Sequence, residues 1–410
     1  MTRALKATRS ELAEAPLPYG RQAVDEADIA AVVEVMRSDR LAHGPKVGEF
    51  EAAFAGAVGA GAAAACSSGT AALHLALAAL DVGPGDLCIV PAVTFLATAT
   101  AARFCGAEVV FADVDPSSGL MSADLLAAAL DRAGSAAKVV LPVHLGGRIC
   151  AMDEIAAVAR SAGLLVVEDA CHALGGIDAA GAAVGGCAHS EAAAFSFHPV
   201  KTLASGEGGM VTTSDPDRAA RVRRLANHGV VRTPELLQSP SLSMGPDGEI
   251  NPWSYEQVEL GFNYRMNEME AALGLSQLGK LERFARRRRE LAALYDLSLA
   301  PLAPTVTPVR ASPGQRPCLH LYQVLIDFER LGVGRAQAMR RLQARGIGSQ
   351  VHYIPVYRQP YFAARYGEQR LYGAEAFYQR VLALPLYPSM RNEDVARVAD
   401  ALAEALELGL

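Results

Sequence analysis

Lysine is scarce in this chain. Of its 38 Lys and Arg residues only five are lysine: Lys6, Lys46, Lys138, Lys201 and Lys280. The seven cysteines are an odd number and no C-x-x-C occurs, so neither a disulfide framework nor a zinc ribbon is indicated. H-E-x-x-H, G-x-x-x-x-G-K-[ST] and a βαβ-placed G-x-G-x-x-G are all missing, and we expect no metal. There is no positive excess either. The formal net charge is −6, which argues against a general nucleic-acid binder. No run reaches the roughly 18 apolar residues of a membrane span. The start, "MTRALKATRSELAEAPLP", lacks the apolar core of a signal peptide. These absences lead us to expect a cytoplasmic protein without nucleic-acid or membrane partners.

What is present is a rhythm. Between residues 60 and 215, β-rich runs alternate with alanine-rich helical stretches. The runs are 87–95, 107–115, 138–147, 164–170, 192–198 and 209–215. Runs apolar on both faces, separated by helices, predict an α/β fold with a mostly parallel sheet covered on both sides. Ligands of such sheets bind at the carboxyl ends of strands. That rule points to Thr94 and Phe95, to His144, to Asp169–His172 and to Ser196–Lys201. Further on, 232–256 is rich in Pro, Ser and Gly and reads as a long surface loop. Residues 265–300 read as a long helical region, with Arg286–Arg289 on a solvated face. The remainder reads as a smaller α+β domain. At 410 residues the chain exceeds one simple core. We expect an N-terminal arm over 1–19, a large domain over 20–275 and a small domain over 276–410.

Lys201 lies in "AFSFHPVKTLASGEGGM", at a strand end and just before a glycine cluster. Most lysines are surface residues. A desolvated lysine, however, can attack a carbonyl, which arginine cannot do. In "VVEDACHALGG", Asp169 closes an apolar run and His172 follows. Asp169 is either a solvated strand end or the partner of a cationic ring nitrogen, as pyridoxal phosphate requires. His172 either touches the same ring or is structural. In "ACSSGTAALHLAL", Ser67, Ser68, Gly69 and Thr70 open a helix. One N-cap serine would explain part of this pattern; phosphate binding by free N–H groups would explain more of it.

The order and spacing of "GPKVGEFEAAFA", "CSSGTAALHLAL", "PVHLGG", "VVEDACHALGG", "FSFHPVKTLASGEGGM" and "LGFNYRMNEMEAALGLSQL" resemble the DegT/DnrJ/EryC1/StrS family of pyridoxal-phosphate-dependent sugar aminotransferases. The likeness runs from about Tyr19 to the C-terminus. It implies the fold of type I pyridoxal-phosphate transferases. It also implies that Lys201 is the Schiff-base lysine and Asp169 the pyridine-nitrogen partner. Phe95 would stack on the ring and His172 would lie on its other side. Ser68, Gly69, Thr70 and Ser196 would bind the phosphate, and Asn263 would reach a phosphate from the second subunit of a homodimer with shared active sites. "FSFHPVK" and "VHYIPVYRQPYF" are further similar to family members of the pseudaminic acid pathway. That likeness implies L-glutamate as amino donor and C4 of a UDP-4-keto-6-deoxy sugar as acceptor. The alternatives are another 4-keto nucleotide sugar, of the 4-amino-arabinose or perosamine type, or a non-catalytic sugar-binding relative. A dehydrase would carry histidine at 201. A desulfurase would need an exposed cysteine, with Cys318 the only one in a plausible loop.

Overall fold

The computed structural model describes residues 15–408. Of the expected arm over 1–19, residues 1–14 therefore lie outside the described residues. Seven strands form the main sheet: β1 (Ala62–Cys66), β2 (Leu87–Pro91), β3 (Glu108–Ala112), β4 (Ala137–Val140), β5 (Leu165–Asp169), β6 (Ala192–Ser196) and β7 (Gly209–Thr213). Their order is β1-β7-β6-β5-β4-β2-β3. The pairs β2–β3, β2–β4, β4–β5 and β5–β6 are parallel. β7 runs antiparallel to both β6 and β1.

Alternation explains why the runs are apolar throughout. Along β2, Cys88 and Val90 face one helical layer, while Ile89 faces the other with Leu126 and Ile155. The helices Gly69–Ala78, Ala97–Phe104, Ala123–Ala133, Met152–Ser161 and Pro216–Ala226 form these layers. Side chains start some of them: Ser122 accepts from the Leu125 N–H, and Asp215 caps the helix that opens with Pro216. Gly106, Gly134 and Gly163 follow helices with φ of 84°, 63° and 70°, where a Cβ is disfavoured.

β1 was not expected as a strand. Its sequence, Ala-Ala-Ala-Ala-Cys, carries no β-propensity. Tertiary packing decides: the antiparallel pairing with β7 fixes it, and its last four residues are buried between helices. The region 265–300 is two helices, Glu268–Leu278 and Leu281–Leu299. At the break, Lys280 reaches the buried Asp28, with 2.8 Å between Nζ and Oδ2. The arginine run is not wholly solvated. Arg287 and Arg289 pair with Glu290 and Glu282, but Arg288 is fully buried. The Arg288 Nη1 donates to the carbonyls of Leu319, His320 and Leu386.

A second core gathers Leu17 with residues between 291 and 406, around an antiparallel sheet of Val306–Pro308, Tyr322–Ile326 and Val381–Leu384. The loop 232–256 contains only short turns of helix and is closed by Val230–Val231 paired with Glu256–Gln257. It carries Trp253, the only tryptophan of the chain, 71% exposed. Among the described residues no helix is long and apolar enough to cross a membrane.

Candidate active site

A cavity of about 870 Å³ opens at the carboxyl ends of β5 and β6, beside the start of the helix Gly69–Ala78. Its walls include Ser67, Ser68, Gly69, Thr70, Phe95, Asp169, His172, Ser196 and Lys201. The strand-end and cofactor candidates singled out in the sequence therefore meet there, with two exceptions. Asn263 is exposed and lies outside the cavity, bridged to Asn227. His144 is buried behind it, where its Nε2 lies 2.8 Å from Glu168 Oε2 and its Nδ1 accepts from the Cys150 N–H. A second recess of about 690 Å³, walled by Arg21, Asp25, Arg283 and Asp394 among others, holds none of these residues.

Lys201 follows β6, on the turn His198–Lys201, where its N–H donates to the His198 carbonyl. Among the described residues its Nζ makes neither a hydrogen bond nor an ion pair. Burial lowers its pKa below 10.5, and nearby Cys171 and Asp169 offset part of that shift. Such a lysine deprotonates more readily than a surface one.

Asp169 ends β5 and is 5% exposed. Its carboxylate accepts from the Thr98 hydroxyl at 2.7 Å and from the Cys171 N–H at 3.2 Å. Thr98 is in turn 2.8 Å from the Thr94 hydroxyl. A carboxylate only accepts, so the Thr98 proton goes to Asp169 and the Thr94 proton to Thr98. This chain of buried hydroxyls fixes the carboxylate at the cavity mouth.

The helix start beside the cavity presents backbone N–H groups. Ser68 is an N-cap, accepting from the Ala71 N–H at 3.1 Å. Gly69 and Thr70 are the next two residues, and their N–H groups have no intrahelical acceptor. Gly69 must be glycine: a Cβ there would lie 2.6 Å from the Ser196 Cβ and 3.3 Å from the Cys171 sulfur. The helix thus starts in contact with the end of β6.

Phe95 is 51% exposed, offering a flat apolar face to the cavity. His172 is buried, with Nδ1 accepting from the Gly146 N–H at 3.1 Å and Nε2 at 3.2 Å from the Tyr353 hydroxyl. Thr98, His352 and Tyr353 are site residues that sequence reasoning missed. Thr98 was within reach, one helical turn beyond Thr94. His352 and Tyr353 come from a segment without regular periodicity. Cys318, the candidate for an exposed nucleophile, is fully buried, and burial pushes its thiol pKa up.

A mostly parallel sheet with a cavity at its carboxyl ends is the arrangement of a pyridoxal-phosphate transferase of fold type I. The chain belongs to the DegT/DnrJ/EryC1/StrS aminotransferase family, whose model matches residues 22–403. It is 38% identical to the spore coat polysaccharide biosynthesis protein SpsC of Bacillus subtilis, over 95% of this chain and 97% of that protein. Among solved structures it is similar to Helicobacter pylori PseC, an aminotransferase involved in pseudaminic acid biosynthesis. That likeness has a TM-score of 0.85 and 27% identity, over 96% of this chain and 99% of PseC. Streptococcus pneumoniae Spr1654 in its PMP form has a TM-score of 0.85 at 26% identity, over 96% of this chain and 98% of that one. Family members use pyridoxal phosphate. The residues present fit it: an unpaired, desolvated lysine, a fixed carboxylate, an aromatic face and a helix start that a single Cβ would fill.

Proposed function

We propose that the protein transfers an amino group from L-glutamate to C4 of a UDP-linked 4-keto-6-deoxy sugar, as in UDP-4-amino-4,6-dideoxy-N-acetyl-β-L-altrosamine formation. The observation that carries the aminotransferase chemistry is Lys201, unpaired and desolvated in the same cavity as the clamped Asp169. When bound, the cofactor supplies an electron sink that lets an amino acid lose its α-proton. Lys201 holds the cofactor and then, as a neutral amine, takes up and returns that proton. Asp169 holds the cationic ring nitrogen. The N–H groups of Gly69 and Thr70, with the hydroxyls of Ser68, Thr70 and Ser196, bind the phosphate. Phe95 and His172, both on the cavity wall, would hold the ring.

The reading includes a cytoplasmic homodimer and a division into domains 20–275 and 276–410. The position of Asn263 supports the dimer: it is outside its own cavity, and so would serve a partner's. Likeness to PseC, an aminotransferase of pseudaminic acid biosynthesis, supports an acceptor of the pseudaminic acid type. A second reading, amination of another 4-keto nucleotide sugar, is favoured by the likeness, at 32% identity, to DesI, which was solved in the presence of its TDP-sugar product. The test follows the cofactor absorbance of purified enzyme. It should bleach with glutamate and return with UDP-4-keto-6-deoxy-N-acetyl-altrosamine. Bleaching with recovery only on a different 4-keto nucleotide sugar would select the second reading. No response to glutamate would refute both.

A further inference from the structure

Gln350, His352 and Tyr353 line the same cavity. Lys201 is the only lysine or arginine among its lining residues. A carboxylate only accepts hydrogen bonds. An amino donor entering this chain's cavity is therefore met by neutral donors, unless it takes Lys201 from its task.

The hydrogen bonds around His172 show which way one such donor points. The Gly146 N–H donates to His172 Nδ1 at 3.1 Å, so that nitrogen carries no proton. The neutral ring keeps its proton on Nε2. Nε2 lies 3.2 Å from the Tyr353 hydroxyl oxygen. Nε2–H thus donates, and the tyrosine oxygen accepts. The hydroxyl proton of Tyr353 must then point away from His172, and no acceptor for it exists among the described residues. Burial keeps the His172 pKa well below 6.5 and the Tyr353 pKa well above 10, so these protons stay in place at neutral pH. Gln350 is biased in the same way. Its Oε1 accepts from the Val351 N–H at 2.8 Å, which leaves the amide NH₂ as the free end.

We propose that Tyr353 donates its hydroxyl proton to a carboxylate of the amino donor, with the Gln350 amide as a second donor and His172 as the positioning residue that turns the hydroxyl into the cavity. A sugar hydroxyl both donates and accepts, and needs no such one-sided set. A carboxylate does. The inference rests on the aminotransferase reading above.

The probe is glutarate, a dicarboxylate without an amine, titrated calorimetrically into the cofactor-loaded enzyme. Tyr353→Phe should weaken glutarate binding by about ten- to a hundredfold, the usual loss of a hydrogen bond to a charged group. The KM for glutamate should rise in parallel, while the KM for the keto sugar should not. His172→Asn should weaken glutarate as well. The double variant should bind it no more weakly than Tyr353→Phe alone, because the two residues act as one unit. Unchanged glutarate affinity in Tyr353→Phe, or a loss confined to the sugar, would overturn the assignment. Additive losses in the double variant would remove His172 from its positioning role. Wild-type enzyme is run alongside with glutamate. If it does not bleach, the aminotransferase reading itself fails; if it bleaches while Tyr353→Phe binds glutarate normally, only this inference does.

Discussion

Replacing Thr98 by valine deletes one oxygen and keeps the shape. In the wild type that oxygen donates to Asp169 at 2.7 Å and accepts from Thr94, with both threonines buried. The variant leaves the carboxylate with a single partner, the Cys171 N–H at 3.2 Å. It also leaves the Thr94 hydroxyl without its acceptor. A hydrogen bond to a charged group contributes about 1.5–3 kcal/mol, and an orphaned buried hydroxyl costs about 1–3 kcal/mol more. Local relaxation offsets part of this sum, so we expect a loss nearer 2–4 kcal/mol. Denaturant unfolding of the cofactor-free protein measures it. In the loaded enzyme the freed carboxylate no longer holds one orientation, so cofactor release should quicken by about tenfold, the loss of roughly 1.4 kcal/mol of binding. Thr98→Ser restores the hydroxyl and should recover most of both effects. If Thr98→Val unfolds within 0.5 kcal/mol of wild type, a margin of about one small surface substitution, and keeps its cofactor equally long, the hydroxyl chain does not fix Asp169.

Three further outcomes follow from the same geometry. Because burial lowers the Lys201 pKa below 10.5, the unfolded chain holds that proton to higher pH than the folded one. Lys201→Met should abolish turnover, yet stabilise the cofactor-free protein near pH 7, with the gain shrinking as pH climbs towards 10.5. Burial pushes His74 down to about 4 and His352 to about 3 from 6.5. The unfolded state therefore takes up protons first, and thermal stability should fall as pH drops from 6.5 towards 4, with neither ring titrating between pH 5.5 and 8 by NMR in the folded protein. Gly69→Ala forces a Cβ against Ser196, separating the helix start from β6. Overpacking of this kind costs about 1–3 kcal/mol, and the variant should lose cofactor faster on dialysis than wild type.

Much of this site could be read from the chain because the chemistry sits where simple rules place it. Strand-end residues after long apolar runs gave Asp169, Ser196 and Lys201 together. The serine-glycine-threonine stretch gave a helix start on the cavity wall. What escaped did so for physical reasons. β1 is made of alanines, whose own preference is helical, and only its pairing with β7 makes it extended. Arg288 sits in a run of four arginines, and nothing local marks it as the one whose guanidinium caps buried carbonyls. His144 follows the strand-end rule yet turns away to Glu168, since the rule gives position and not side-chain direction. Tyr353 and His352 come from a non-periodic stretch far along the chain, and reach the cavity through the tertiary fold.

The loop 232–256 has a practical consequence through Trp253. With no other indole in the chain, the tryptophan emission of this protein comes from that one exposed side chain. It is a built-in optical reporter for the loop. In the isolated chain it emits from water. A shift to shorter wavelength on raising protein concentration would mark a second copy covering the loop. The same shift on adding nucleotide sugar at fixed concentration would mark the loop closing over its ligand, with no label attached.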